Sequence, residues 1–255
     1  MLDGMKRAAQ GMISMMQNQE IISSNLANVG TAGFRKDKAQ VTSFSEVLEK
    51  EMAEAKMVKP EFWQAGGGLD TVGMLFTSSA TSFAQGALKQ TGNNFDLALD
   101  DNGKGFFTIQ TPEGIRYTRN GSFKLSTTGN LVTSDGSFVM GHKGPIKVSG
   151  TNFEVTNEGA VLVNGEQIDQ LLITTFDDPG KLRKIGANYF VSPTSGKVSA
   201  DSRVKQGFLE MSNVNAIKEM VDMITVMRAY EANQKVLQTE DQMLGRATGE
   251  VGRIR

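Results

Sequence analysis

LDGMKRAAQGMISMMQNQEIISSNLANV, residues 2–29, is a long amphipathic segment. Within it Met5, Met12, Gln19 and Leu26 recur every seven residues, as do Ala8, Met15, Ile22 and Val29. Interleaved rows that alternate three and four apart make a coiled-coil seam, here with one polar position, Gln19. At about 1.5 Å per residue the helix would run roughly 40 Å. Methionine in a seam adapts to several neighbours, where β-branched residues would specify one. No aromatic residue occurs before Phe34, so the segment lacks large core anchors and suits repeated helix-to-helix contact. Asn28 to Gly33 tolerate the left-handed conformation and should turn the chain out of the helix.

Working outward, the other end of the chain carries a second such segment. No Gly or Pro occurs from Phe208 to Leu244. Ile217, Met220, Ile224 and Met227 begin a three-four stripe, widened by Val221, and Tyr230, Gln234, Leu237 and Leu244 continue it. Ser212 or Asn213 can cap its start, with Glu219 near the positive end of the helix dipole. Ten of the 14 methionines lie at the two ends. A long amphipathic helix does not bury its stripe alone. The two ends are therefore expected to pack together, with neighbouring molecules covering what remains.

Between Arg35 and Gln85 the pattern weakens. Ser43 and Glu46 have capping-box spacing, which predicts a short helix from Ser45 to Val58. Gly66-Gly67-Gly68 then breaks the chain, and a Ser/Thr-rich stretch runs from Thr77 to Ser82, as in an extended arm. From Gly86 to Lys205 short β-type runs alternate with turn dipeptides. Residues Phe95 to Leu99, Phe106 to Ile109 and Leu171 to Phe176 read as strands. Asn120-Gly121, Asp135-Gly136 and Asn164-Gly165 read as tight turns. Regularly spaced short strands argue for an antiparallel sandwich or barrel-like domain with the aromatics in its core.

The resulting fold class is mixed α and β: long N- and C-terminal helices packed as a coiled coil, with a central antiparallel all-β domain. The expected divisions are an N-terminal helix and its exit at 1–35, an arm at 36–85, the β domain at 86–207 and the C-terminal helix at 208–255.

Composition removes several function classes. The 27 basic and 28 acidic residues give a net charge of −1, so there is no electrostatic case for nucleic acid. Without cysteine there are no disulfides, thiolate metal sites or thiol nucleophiles. No apolar run is long enough to span a membrane, and Gln10, Ser14, Gln17 and Asn18 interrupt what a cleavable signal peptide would need. Asp100 to Gly105 departs from a calcium loop, because Lys104 and Thr111 stand where oxygen ligands belong. His142 is the single histidine and sits in a turn. Asp177 and Asp178, before Pro179-Gly180, read as turn caps. No catalytic constellation, metal site or cofactor site is expected.

The string from Ser23 to Arg35, with its Asn25-Leu26-Ala27-Asn28 core and Gly33-Phe34 pair, resembles the N-terminal signature of the bacterial flagellar rod and hook family. Glu210 to Asn215, Met223-Ile224 and Arg228 to Asn233 resemble its C-terminal signature. Gly105-Phe106-Phe107 and Tyr117 to Phe123 resemble further motifs of its rod proteins.

The resemblance implies a structural subunit of the basal-body rod, lying in the periplasmic space and exported through the flagellar type III apparatus. Its implied partners are copies of itself, other rod proteins and hook-side neighbours. The shaft they build transmits torque to the hook and encloses the export channel. The expected assembly residues are Met5, Met12, Met15, Ile22, Asn25, Leu26, Asn28, Gly33 and Phe34 at one end. At the other they are Asn213, Asn215, Ile217, Met220, Ile224, Met227, Tyr230 and Leu237. Gly144-Pro145-Ile146 and the stretch from Leu244 to Ile254 resemble the proximal type of rod subunit, which is the expectation. The long arm from Arg35 to Gly68 leans toward the distal type, the alternative. A reading from another class is a β-domain enzyme or ligand-binding module with helical oligomerisation ends, which would show a pocket with convergent polar groups.

Overall fold

The computed structural model describes residues 2–43, 75–150, 152–193, 196–198 and 202–251. The short helix expected at Ser45 to Val58 and the glycine break at Gly66 to Gly68 lie outside the described residues. The chain divides into two units: Met1–Ser24, Asp37–Ala80 and Ile217–Arg255 form one, Asn25–Lys36 and Thr81–Ala216 the other.

In the first unit the amphipathic ends are helices, Leu2–Ala27 and Ala216–Val251. They pack together antiparallel: Gly4 lies against Glu240 and Gly11 against Asn233, and the Asn233 amide donates to the Met15 sulfur at 3.4 Å. Two glycines a heptad apart thus make room for two long polar side chains, themselves a heptad apart. The same unit holds a two-stranded ribbon, Asp37–Ser43 with Leu75–Thr81. The two described ends of the arm are thus strands that pair with each other.

In the second unit every described strand pairing is antiparallel. Strand Gly105–Thr111 is the hub of the largest sheet, pairing with Gly114–Thr118, Phe138–Val139 and Ile173–Thr175. Successive side chains of a strand point to opposite faces, and both faces of this one are covered. Phe107 and Ile109 enter the main core with Leu97, Leu131 and Val139. Phe106 enters a smaller cluster with Leu182 and Phe190. Burial on both faces is why the run reads as continuously apolar rather than alternating. Thr108, on the Phe106 side, is satisfied by a hydroxyl–hydroxyl bond to Thr174 at 2.8 Å.

Two of the three expected turns close hairpins. Asn164 (φ 53°) and Gly165 (φ 86°) join Ala160–Val163 to Glu166–Gln170. Gly136 (φ 82°) turns Leu131–Thr133 into Phe138–Val139. Asn120-Gly121 departs from expectation. The Asn120 side chain accepts from the Ser122 amide at 3.0 Å, and the chain runs on without reversing. Gly121 is there for proximity: a Cβ would overlap the Leu97 carbonyl, and the Leu97 amide donates to the Gly121 carbonyl at 3.0 Å. Asp178 caps the turn at Pro179–Lys181 by accepting from the Gly180 amide, as its sequence suggests.

Gly121→Ala should therefore destabilise the β unit by about 2–3 kcal/mol, the cost of overpacking against rigid backbone. A thermal unfolding midpoint equal to that of the wild type would contradict this contact.

Candidate assembly interface

The residues that carry the terminal signatures meet inside the second unit, around buried charge. Arg35, just after the N-terminal helix, pairs with Glu210, just before the C-terminal one, at 2.6 Å. Arg119 reaches Glu210 at 3.2 Å and Asp101 at 2.7 Å. The Arg35, Arg119 and Glu210 side chains are fully enclosed, and Asp101 nearly so. The Glu210 carboxylate also accepts from the Gly86 amide at 2.9 Å, and Arg35 donates to the Ala84 carbonyl at 3.0 Å. Burial draws the Arg35 pKa down against the opposing pull of Glu210. For Asp101 burial pushes upward, but the Arg119 charge, Ser202 and the Gly105 amide outweigh it, and its pKa falls below the usual carboxylate range.

Backbone geometry supports the same junction. Gly33 (φ 70°) donates its amide to the Glu210 carbonyl at 2.7 Å, and a Cβ there would overlap the Asn120 backbone. Phe34 is buried beneath the Lys184 ammonium, 3.8 Å from its ring centre. Asn213 does not cap the helix. Its side chain accepts from the Lys36 amide at 2.7 Å and donates to the Ser82 and Ala84 carbonyls at 2.8 and 2.9 Å. Ser212 accepts from the Val214 amide, and Asn215, exposed, directly precedes the first helical turn. The signature residues thus act first as a clasp holding two remote chain segments together. In the sequence Arg35, Arg119 and Glu210 stand out only as motif positions, and their shared role is missed. A charged residue in a motif does not show whether it is buried.

On the helices, the expected assembly residues separate into two sets. On the C-terminal helix a row three and four apart, on the face that meets Gly4 and Gly11, holds buried Glu219 and half-buried Met223, Val226, Tyr230, Asn233, Leu237 and Glu240. On the N-terminal helix Ala8, Met15 and Ile22 belong to the matching face, with Met5 and Met12 half-buried at its margin. Asn25 is buried, while Leu26 and Asn28 are half-buried. The sequence pattern runs Ile217, Met220, Ile224 and Met227 into one stripe with Tyr230 and Leu237, and the structure separates them. Those four point away from the helix seam, with exposures from 76% at Ile217 to 46% at Met227. Val221, and Ile13 and Met16 on the other helix, are equally open.

One groove in the β unit is lined by Asp100, Asp101, Asp177, Lys197 and Arg203 among others. Asp101 is committed to the clasp, and Asp177 and Asp100 pair with Lys197 and Lys205 at 2.8 Å each. His142 is exposed in its turn, away from these groups. The groove offers ion pairs rather than a poised acid and base.

Two outcomes test the clasp. Glu210→Gln should cost about 3–5 kcal/mol, because it leaves two buried guanidinium groups short of a counter-charge; denaturant unfolding reads this directly. Asp101, whose folded pKa lies below its unfolded one, contributes stability that is present above the unfolded value and lost as pH falls through the folded value. Wild-type stability should fall more steeply than that of Asp101→Asn below about pH 4. Parallel acid-unfolding curves would contradict the assignment.

Three family descriptions match the chain in register with this geometry. Residues 5–35 match "Flagella basal body rod protein", residues 102–163 the "Flagellar hook protein FlgE/F/G D1 domain", and residues 205–250 "Flagellar basal body rod FlgEFG protein C-terminal". The chain is 34% identical to the flagellar basal-body rod protein FlgG of Borreliella burgdorferi, over 96% of this chain and 97% of that one. It is 33% identical to FlgG of Bacillus subtilis, again over 96% and 97%. The flagellar hook-basal body complex protein FlhO of Bacillus subtilis is 29% identical over the full length of both. With paired terminal helices around an antiparallel β unit and relatives matched from end to end, the chain belongs to the flagellar basal-body rod FlgE/F/G family and is a structural subunit, not an enzyme.

Proposed function

We propose that the chain is a distal-type rod subunit, polymerising through its terminal helices into the shaft that transmits torque to the hook and encloses the export channel. The observation that carries the assembly reading is an inversion on the C-terminal helix. Asn233 and Glu240 occupy the shielded seam, while Ile217, Met220, Val221, Ile224 and Met227 stand in solvent. Fully burying such a side chain is worth about 1.5–3 kcal/mol, a gain that one chain alone leaves unrealised. A clustered stripe of this kind marks an interaction surface.

The FlgG names of the relatives favour the distal type over the proximal one suggested by Gly144-Pro145-Ile146. On this reading the partners are further copies, neighbouring rod proteins and the hook side. The subunit would reach the periplasmic rod through the flagellar type III apparatus.

Labelled protein imaged along isolated hook–basal bodies should mark the hook-side part of the rod. Signal confined to the membrane-side part would restore the proximal reading, and protein missing from hook–basal bodies would overturn both.

A further inference from the structure

Asn102-Gly103, Asn120-Gly121 and Asn164-Gly165 are the Asn-Gly pairs of the sequence. Such a pair carries a chemistry of its own. The glycine backbone nitrogen attacks the side-chain amide carbon of the asparagine, and glycine has no side chain to stand in the way. A carbon–nitrogen bond forms, and the side-chain nitrogen leaves as ammonia, taking the proton from the glycine amide. The product is a cyclic succinimide, which water opens at either carbonyl to give aspartate or isoaspartate. All three pairs have the reactive sequence, so the fold decides which of them reacts.

Ring closure requires the glycine nitrogen to swing toward the asparagine side chain, so the local backbone has to open first. Two of the pairs are locked against this. At Asn102-Gly103 the Asp101 carboxylate accepts from the Gly103, Lys104 and Gly105 amides at 3.1, 3.2 and 2.6 Å. The attacking nitrogen is itself tied down, and Gly103 is buried against the Phe83 carbonyl. Asp101 also belongs to the charged clasp, so opening this loop disturbs buried ion pairs. At Asn120-Gly121 the Asn120 side chain is held by the Ser122 amide at 3.0 Å. Gly121 is buried against the Leu97 backbone, which leaves no room for a ring.

Asn164-Gly165 lacks these locks. Both residues are exposed at the tip of the hairpin. The Gly165 amide has no backbone acceptor among the described residues, and no atom lies within 4 Å of where its Cβ would stand. The Asn164 amide donates to the Asn152 carbonyl at 3.0 Å, and its side chain accepts from the Asn152 amide at 3.3 Å. Those bonds hold the asparagine and leave the glycine free to swing. We propose that Asn164 is the site at which the folded chain spontaneously deamidates. Aspartate at this position keeps the acceptor for the Asn152 amide. Isoaspartate adds a backbone atom to the tight turn and displaces the pairing of Val163 with Glu166. The inference does not depend on the rod reading.

The test ages purified full-length chain in mildly alkaline buffer, once folded and once unfolded in urea. Samples taken over time are digested, and tandem mass spectrometry reads the conversion at each asparagine. In the folded chain Asn164 should convert at least about tenfold faster than Asn102 and Asn120, which corresponds to about 1.4 kcal/mol less free energy of local opening. In urea, where the local opening cost is gone, the three rates should agree to within about threefold. Conversion at Asn102 or Asn120 as fast as at Asn164 in the folded chain would overturn the proposal. The same ranking and spacing of rates in urea would also overturn it, because local sequence rather than the fold would then decide the site. So would an Asn164 that stays intact in the folded chain while the unfolded chain converts extensively.

Discussion

Buried charge at the junction of four chain segments is the constraint on which the rest depends. Arg35, Glu210, Arg119 and Asp101 come from the exit of one helix, the entry to the other and two loops of the β unit. An unpaired charge in that interior would cost far more than any single contact there contributes. The four must therefore arrive together or not at all. Their meeting ties Gly33–Lys36 to Glu210–Asn213 within the β unit, so the two terminal helices leave from neighbouring points of chain. Helix pairing then closes a short loop instead of one that spans the whole β unit.

Once their origins are tied, the helices need little mutual affinity, and their seam reflects this. Glycine at positions 4 and 11 lowers helix propensity and contributes no apolar contact. Asn233 and Glu240 fill the space with polar atoms. Polar seam positions favour one alignment over others at some expense in stability. Ile217, Met220, Ile224 and Met227 are turned outward, while Tyr230 and Leu237 stay in the seam. On the proposed assembly reading, that division suits a fold complete enough to keep a defined shape and incomplete enough to polymerise.

The β unit follows a different logic, with both faces of Gly105–Thr111 buried and the aromatics concentrated on either side. Its strands were legible in the sequence because a short, continuous apolar run between Gly-containing turns suits a strand covered on both faces and is too brief for a stable helix. Asn164-Gly165 was legible because a tight hairpin calls for positive φ at both positions, which Asn and Gly accept. Asn120-Gly121 misled because the same dipeptide served a close approach to Leu97. Asn213 misled because a residue type that suits a helix cap also suits bridging separate backbone segments. In each case local chemistry was read correctly, and a distant partner decided its use.

The sequence alone determined that two amphipathic helices exist and that an antiparallel β region separates them; it located the ends of the first to within a turn, whereas the second continues past Leu244 to Val251. It also determined the family, because both terminal signatures stand in their proper order. It could not determine which helical face meets which partner. Periodicity defines a stripe around one axis, and nothing local distinguishes a stripe that faces the other helix from one that faces a neighbouring molecule. Tertiary structure decided this through the antiparallel register at Gly4 and Gly11, which turned Tyr230 and Leu237 inward and left Ile217, Met220, Ile224 and Met227 outside. It also decided that Arg35, Arg119 and Glu210 act as one group, because burial depends on segments that only the folded chain brings together.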